Sequence, residues 1–155
     1  MDAPDFFDAA TPARIVIIGA VMIDCYIYGG VSRISPEAPV PVFHQTRTAE
    51  TVGGAGNVAA NVMTLGGTAA LVGLTGHDPQ RDRRLEMCAS YGVVTNRLVS
   101  SKARTTTTKT RFLSAGQQLL RHDHEESLTP TDEERQRLSD AIDQAMNEAE
   151  WIMLS

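Results

Sequence analysis

The sequence predicts an α/β fold: a central, mostly parallel sheet flanked by helices, with a small β flap standing apart from it. Three observations carry this. Arg14 to Ile18 is apolar from Ile15 onward without alternation, the mark of a strand covered on both faces, and ends at Gly19. Further apolar runs, Ala69 to Leu74 and Trp151 to Leu154, follow stretches of helical periodicity, so strands and helices alternate along the chain. Between Gly29 and Val52, by contrast, Pro36, Pro39 and Pro41 interrupt Val40, Val42 and Phe43, and proline confines a strand to an edge because it has no N–H for the ladder.

In chain order, Arg14 to Ile18 opens the sheet and residues 29–52 form the flap. Val58, Val62 and Leu65 stand at helical spacing within Asn57 to Leu65, and Gly66-Gly67 supplies the stop. Ala69 to Leu74 is the second buried strand. Asp78 to Tyr91 reads as a helix with a polar face and with Leu85, Met87 and Cys88 inward; Gly92 ends it before short extended pieces at Val93-Val94 and Leu98-Val99. Thr105 to Leu113 is β-branched, Ser114-Ala115-Gly116 turns and Gln117 to Asp123 returns, a hairpin that makes residues 105–124 the second part of the lid. After Pro130, Thr131-Asp132-Glu133-Glu134 has the spacing of a capping box, and Leu138, Ile142 and Met146 are the expected buried stripe of its helix. Trp151 to Leu154 begins another core strand. Such a strand needs layers above and below, so residues 1–155 are expected to be the N-terminal part of a single domain whose C-terminal half is missing.

A length of 155 residues fits one ordinary domain. Lys and Arg number 14 against 19 Asp and Glu, a net charge of −5, so no nucleic-acid partner is expected, although a small cationic site fits within that balance. No apolar run approaches the roughly 18 residues of a membrane span, so no membrane partner is expected either. Met1-Asp2-Ala3-Pro4-Asp5 is acidic ahead of Phe6-Phe7 and lacks the positive start and apolar core of a secretory signal, which points to the cytoplasm. Cys25 and Cys88 have no short ligand spacing and read as space-filling residues.

Gly53-Gly54-Ala55-Gly56-Asn57 stands directly before the first helix. Glycines admit a ligand close to the backbone, the first helical amides are unused donors, and Asn57 both donates and accepts, so hydroxyls or an anion fit there; a turn that merely packs the helix is the plainer alternative. Gly54 to Ala59 also meets the loose dinucleotide fingerprint, but Thr46 to Thr51 before it is polar where that motif needs a buried strand. Asp24 lies beyond the first strand, at the carboxyl end where open sheets bind ligands; it reads equally as a grip for sugar hydroxyls and as a loop acid. Lys109 and Arg111 share one face of an expected strand and, with Arg121 on the returning strand, can close on one phosphate; the alternative is a solvated sheet face. His122 and His124 share a face too, but no third ligand stands at a recognisable spacing and no metal site is expected. Asp123, Glu125 and Glu126 read as a solvated turn.

Taken together, these segments resemble the ribokinase-like carbohydrate kinases, the pfkB family. Gly53, Gly54, Ala55, Asn57, Ala59, Gly66 and Gly76 stand at the intervals of its first signature. Within the family, Gly19 to Asp24, Ser32 to Val42, Thr108 to Arg111 and Gln117 to Arg121 resemble the heptose-7-phosphate kinases of lipopolysaccharide core synthesis, a likeness running from about Arg14 to the last residue. The resemblance implies a ribokinase-like fold whose lid covers a small-molecule sugar phosphate and mediates a homodimer. It also implies ATP-dependent phosphorylation of D-glycero-D-manno-heptose 7-phosphate at the anomeric hydroxyl, on the way to ADP-heptose. By the match, Asp24, Gly53, Gly54 and Asn57 hold sugar hydroxyls. Lys109, Arg111 and Arg121 are assigned on charge grounds to the phosphate the substrate already carries. The sequence departs from the family at Ala20, usually an aspartate, and at Cys25, usually an arginine.

Members of the family carry a glycine-rich anion hole ending in the catalytic aspartate, with most of the ATP site, in their C-terminal half. That motif does not occur here, so no catalytic or cofactor-binding residue is expected in this chain. ATP and Mg²⁺ belong to the full-length family and are not expected to bind the chain alone, which is expected to be inactive in isolation. Two rival readings stand beside this one: another pfkB sugar kinase with a different substrate, and a non-catalytic sugar-binding or dimerisation module.

Overall fold

The structure, a computed structural model, describes residues 13–155. The acidic start and Phe6-Phe7, on which the cytoplasmic expectation rests, lie outside the described residues. Strands β1 (Arg14–Ile18), β4 (Thr68–Thr75), β5 (Val94–Ser100) and β8 (Trp151–Leu154) form an all-parallel sheet in the order β5-β4-β1-β8. Helices α1 (Ala55–Thr64) and α2 (Pro79–Ser90) cover one face and α3 (Asp132–Met146) the other, which makes the expected α/β layering. The double cover explains the unalternated run at the start of the chain: Ile17 packs with Leu71, Ala55 and Cys88 on one side, while its neighbour Val16 packs with Val72, Ala141 and Ala145 on the other.

A second sheet, in the order β3-β2-β6-β7, is the lid: β2 (Val21–Ile34) and β3 (Pro41–Gly54) pair antiparallel, β6 (Thr108–Ser114) joins β2 in parallel, and β7 (Gln117–His124) returns antiparallel to β6. The 105–124 hairpin forms as expected, with Ala115 and Gly116 both at positive φ in a turn whose twist suits a hairpin. The other half of the lid begins at Val21 rather than at Gly29, because Val21, Ile23 and Cys25 alternate buried with half-buried Met22 and Asp24 and carry the strand back to the main sheet.

Local signals fix the helices. Asp78 caps α2, its carboxylate accepting the Arg81 N–H at 2.8 Å, with Pro79 in the first turn. At α3 both bonds of the capping box are made: Thr131 Oγ1 accepts the Glu134 N–H at 3.2 Å, and the Glu134 carboxylate accepts the Thr131 N–H at 2.9 Å. Among the described residues no helix is long and apolar enough to cross a membrane.

Several expectations need correcting. Met87 packs at the margin of the core beside Cys88 as expected, but Leu85 is only half-buried and the second fully buried position of the helix is taken by Arg84. The pieces at Val93-Val94 and Leu98-Val99 are one strand, β5. The inner stripe of α3 is Glu134, Ala141 and Ala145 with Leu138 and Ile142 at its margin, and Met146 is 50% exposed, because small residues let the helix sit close on β4 and β5. Strand β8 forms in register with β1, yet Trp151 to Leu154 are exposed rather than core: the strand is an edge of the described sheet. Cys25 and Cys88 are free buried thiols, and burial pushes both up and away from thiolate reactivity, as filler residues require.

Candidate functional site

The lid carries a charged face. In a sheet, residues in register point the same way, so the pairings Asp24 with Lys109, Lys109 with Asp123, Tyr26 with Arg111 and Arg111 with Arg121 assemble two rows on one side of β2, β6 and β7. Arg111 Nη1 donates to Asp24 Oδ1 in an ion pair whose side chains are 23% and 17% exposed, and its guanidinium lies 5.4 Å from the Tyr26 ring centroid. The hydrogen bond from Arg111 to Asp24 pushes the guanidinium further up. Arg121 Nε stands 3.0 Å from Asp123 Oδ1. Lys109 has no ion-pair partner among the described residues.

The glycine loop meets this face from the β3 side. Gly53 pairs with Met22, and a Cβ on Gly53 would occupy the space held by the Asp24 carboxylate and the Met22 side chain. Its lack of a side chain is what lets Asp24 lie against the backbone. Gly54 stands at φ 57, where a Cβ would run into the Ala20 carbonyl, and the same carbonyl accepts the Ala55 N–H at 2.9 Å. These contacts tie the entrance of α1 to the link between β1 and β2. The entrance has no side-chain cap and no acid in its first turn, so apart from the Ala55 N–H its first amides have no side-chain partner and its positive dipole end is uncompensated. Asn57 is exposed on that first turn.

The structure therefore brings Asp24, Gly53, Gly54 and Arg111 together, leaves Asn57 exposed just beyond them, and sets Lys109 and Arg121 on the same sheet face. Two of the three cations assigned to a phosphate already hold carboxylates. Sequence reasoning did not connect Asp24 with Arg111, nor did it place Tyr26 on this face; the alternation of Met22, Asp24, Tyr26 and Tyr28 is the signal that finds it. Of the two departures from the family, Cys25 faces the opposite side of β2, in register with Glu50 and Thr110, and so lies away from Asp24. Ala20 is exposed and keeps its part in the glycine loop through its carbonyl alone.

Two hollows flank the parallel sheet. One of about 280 Å³ lies at the carboxyl ends of β1 and β4, bordered by Gly19, Ala20, Gly73 and Thr75. A larger one of about 590 Å³ lies at the amino ends, bordered by Arg14, Thr68 and Val94. Open α/β sheets bind ligands at the carboxyl end, so the smaller hollow is the relevant one.

The pattern of the pfkB family carbohydrate kinases matches residues 12–149. The chain is 43% identical over 141 residues to the bifunctional protein HldE of Gluconacetobacter diazotrophicus, covering 91% of this chain and 29% of that protein. It is 48% identical over 118 residues to the D-beta-D-heptose 7-phosphate kinase of Bordetella bronchiseptica, covering 76% of this chain and 37% of that one. The chain thus spans well under half the length of these relatives. Among solved structures, a carbohydrate kinase from Agrobacterium tumefaciens superposes with a TM-score of 0.70 at 19% identity, over 92% of this chain and 45% of that one. A ribokinase from Cryptococcus neoformans in complex with ADP gives 0.54 at 25% identity, over 77% of this chain and 39% of that one.

Proposed function

Since the chain belongs to the pfkB family of carbohydrate kinases, we propose that it forms the sugar-binding part of a cytoplasmic, ATP-dependent sugar kinase. Its substrate in this reading is D-glycero-D-manno-heptose 7-phosphate, phosphorylated at the anomeric hydroxyl on the way to ADP-heptose. The observation that carries the reading is the Asp24 carboxylate, seated against the side-chain-free backbone of Gly53 and held by Arg111. A carboxylate accepts hydrogen bonds only, so it suits the hydroxyl donors of a polyol, while the amides at the start of α1 and the Asn57 side chain supply donors to the sugar oxygens. The relatives named above favour the heptose phosphate over other sugars. The Ala20 departure favours the second reading, a pfkB kinase for another sugar.

For the phosphate the substrate carries, Lys109 leads, because Arg111 and Arg121 hold Asp24 and Asp123 and contribute only their remaining N–H groups. Among the described residues no group of three or more His, Cys, Asp or Glu side chains is placed to hold a metal ion. At the far end of the lid Val31, Ile34 and Val40 are 41%, 62% and 51% exposed, an apolar tip that suits a homodimer made through the lid.

Calorimetric titration tests this function. Heptose 7-phosphate is expected to bind saturably, more tightly than ribose or fructose phosphates, and Asp24→Asn to weaken it about tenfold or more. Equal affinity for the variant, or stronger binding of another sugar, overturns the assignment. Assayed alone with ATP, the chain is expected to give no phosphorylated sugar. Light scattering of Ile34→Glu, expected to be monomeric where the parent is dimeric, tests the lid interface.

A further inference from the structure

Arg84 is the largest fully buried side chain among the described residues, and no carboxylate pairs with it. Its Nη1 donates to the Val21 carbonyl at 2.8 Å and its Nη2 to Thr75 Oγ1, while Nε has no partner. Burial pushes its pKa down to about 10, which leaves it cationic at neutral pH. A guanidinium withdrawn from water with an N–H unspent is unfavourable unless an acceptor is supplied.

Arg84 lines the 280 Å³ hollow together with Arg104 and Thr105. Arg104 Nε and Thr105 Oγ1 are likewise buried without a partner, so each of these three lining residues carries an unspent polar group. The carboxylates nearby are engaged by backbone amides. Asp78 accepts the N–H of Arg81 at 2.8 Å and of Thr106 at 2.6 Å, and Glu134 accepts that of Thr131 while standing 4.0 Å from Arg104 Nη2. Glu126, which also borders the hollow, accepts the Thr105 N–H at 3.0 Å. The lining itself carries the two guanidinium groups and the Glu126 carboxylate, with Asp78 and Glu134 behind them. Asp24 and Arg111 do not border it.

We propose that this hollow is an anion site, in which Arg84, Arg104 and Thr105 bind a phosphate-class oxyanion. A tetrahedral oxyanion offers acceptors in several directions, and guanidinium N–H groups match it in charge and geometry. None of its three residues belongs to the Asp24 face, although the hollow lies at the carboxyl end of the sheet where a ligand of the candidate site is also expected. The hollow also has room for water alone, which is the competing outcome.

The test is thermal unfolding of the full chain at constant ionic strength in chloride, titrated with inorganic phosphate, then with hexose 6-phosphate, then with free hexose. A saturable rise in Tm of about 3–6 °C at ten times Kd is expected with a phosphate compound. Arg84→Leu is expected to abolish it. Should Arg84→Leu fail to fold, Arg104→Gln carries the same expectation. A response to inorganic phosphate as large as to the hexose phosphate supports a site for the free anion, and a response to the hexose phosphate alone supports a site for an esterified one. Asp24→Asn is expected to keep the inorganic phosphate response, which separates this site from the sugar face. No rise with either phosphate compound, or a rise that survives both arginine variants, overturns the proposal in favour of water alone.

Discussion

The two sheets divide the work of the molecule. In the parallel sheet Ile17, Leu71 and Val72 are 0% exposed, and most inner positions are filled by apolar side chains packed against the helices. In the lid, β7 is exposed along nearly its whole length, and β2, β6 and β7 carry charge pairs, Asp24 with Arg111 and Arg121 with Asp123. Burial of apolar area is the large favourable term in folding, whereas partly exposed ion pairs add little. Stability should therefore reside in the first sheet and ligand chemistry on the second, with Gly53 and Gly54 as the seam between them.

The sharpest way to break that division is Leu71→Ala, expected to lose about 2–5 kcal/mol in urea unfolding because the layers on both sides of β4 limit collapse into the void. A loss below about 1 kcal/mol would mean the parallel sheet is not the stability core. Next in size, Arg111→Gln is expected to weaken sugar binding about tenfold while barely moving the urea midpoint, the reverse of the Leu71 result. Thr131→Ala, which deletes one half of the α3 capping box, is expected to cost about 1 kcal/mol.

Acid sharpens the comparison further. Burial works to raise the Asp78 carboxyl, but the N–H groups of Thr106 and Arg81 outweigh it and hold the group below its ordinary value. Glu134 is held down as well, chiefly by Ser101 and the Thr131 N–H. A lowered carboxyl stabilises above its unfolded pKa and loses that contribution as pH falls through the folded one. The urea midpoint is thus expected to be flat from about pH 7 to 5 and to fall below about pH 4, less steeply in Asp78→Asn. The smallest effect is reserved for Arg83→Ala: Arg83 is 60% exposed in its pair with Glu50, and its loss should leave the midpoint nearly unchanged.

Legibility followed the range of the interactions. Strand β1, the capping box at Thr131, the Asp78 cap and the Ala115-Gly116 turn depend on neighbours a few positions away, and their residues announce them. Val21 to Tyr28 was passed over as a strand because Asp24 breaks an otherwise apolar run and the glycines and prolines downstream dominate the reading. Nothing local marks Arg84 as an inward residue; its burial depends on the Val21 carbonyl, 63 positions away in sequence. The assignment of Asp24, Gly53 and Gly54 to one site rested on resemblance to a family, and no spacing within the chain would have given Asp24 its arginine. The exposure of Met146 and of β8 is a matter of which layers lie over them, which periodicity does not encode.

The parallel pairing of β2 with β6 has a kinetic corollary. Asp24 and Arg111 are 87 positions apart, and α1, β4, α2 and β5 all lie in the loop that their contact closes. Long-range closures of this kind come late in folding, after local helices and hairpins have formed. Sugar affinity should then be the last property a refolding chain acquires, and its time course would mark the moment the two halves of the lid first meet.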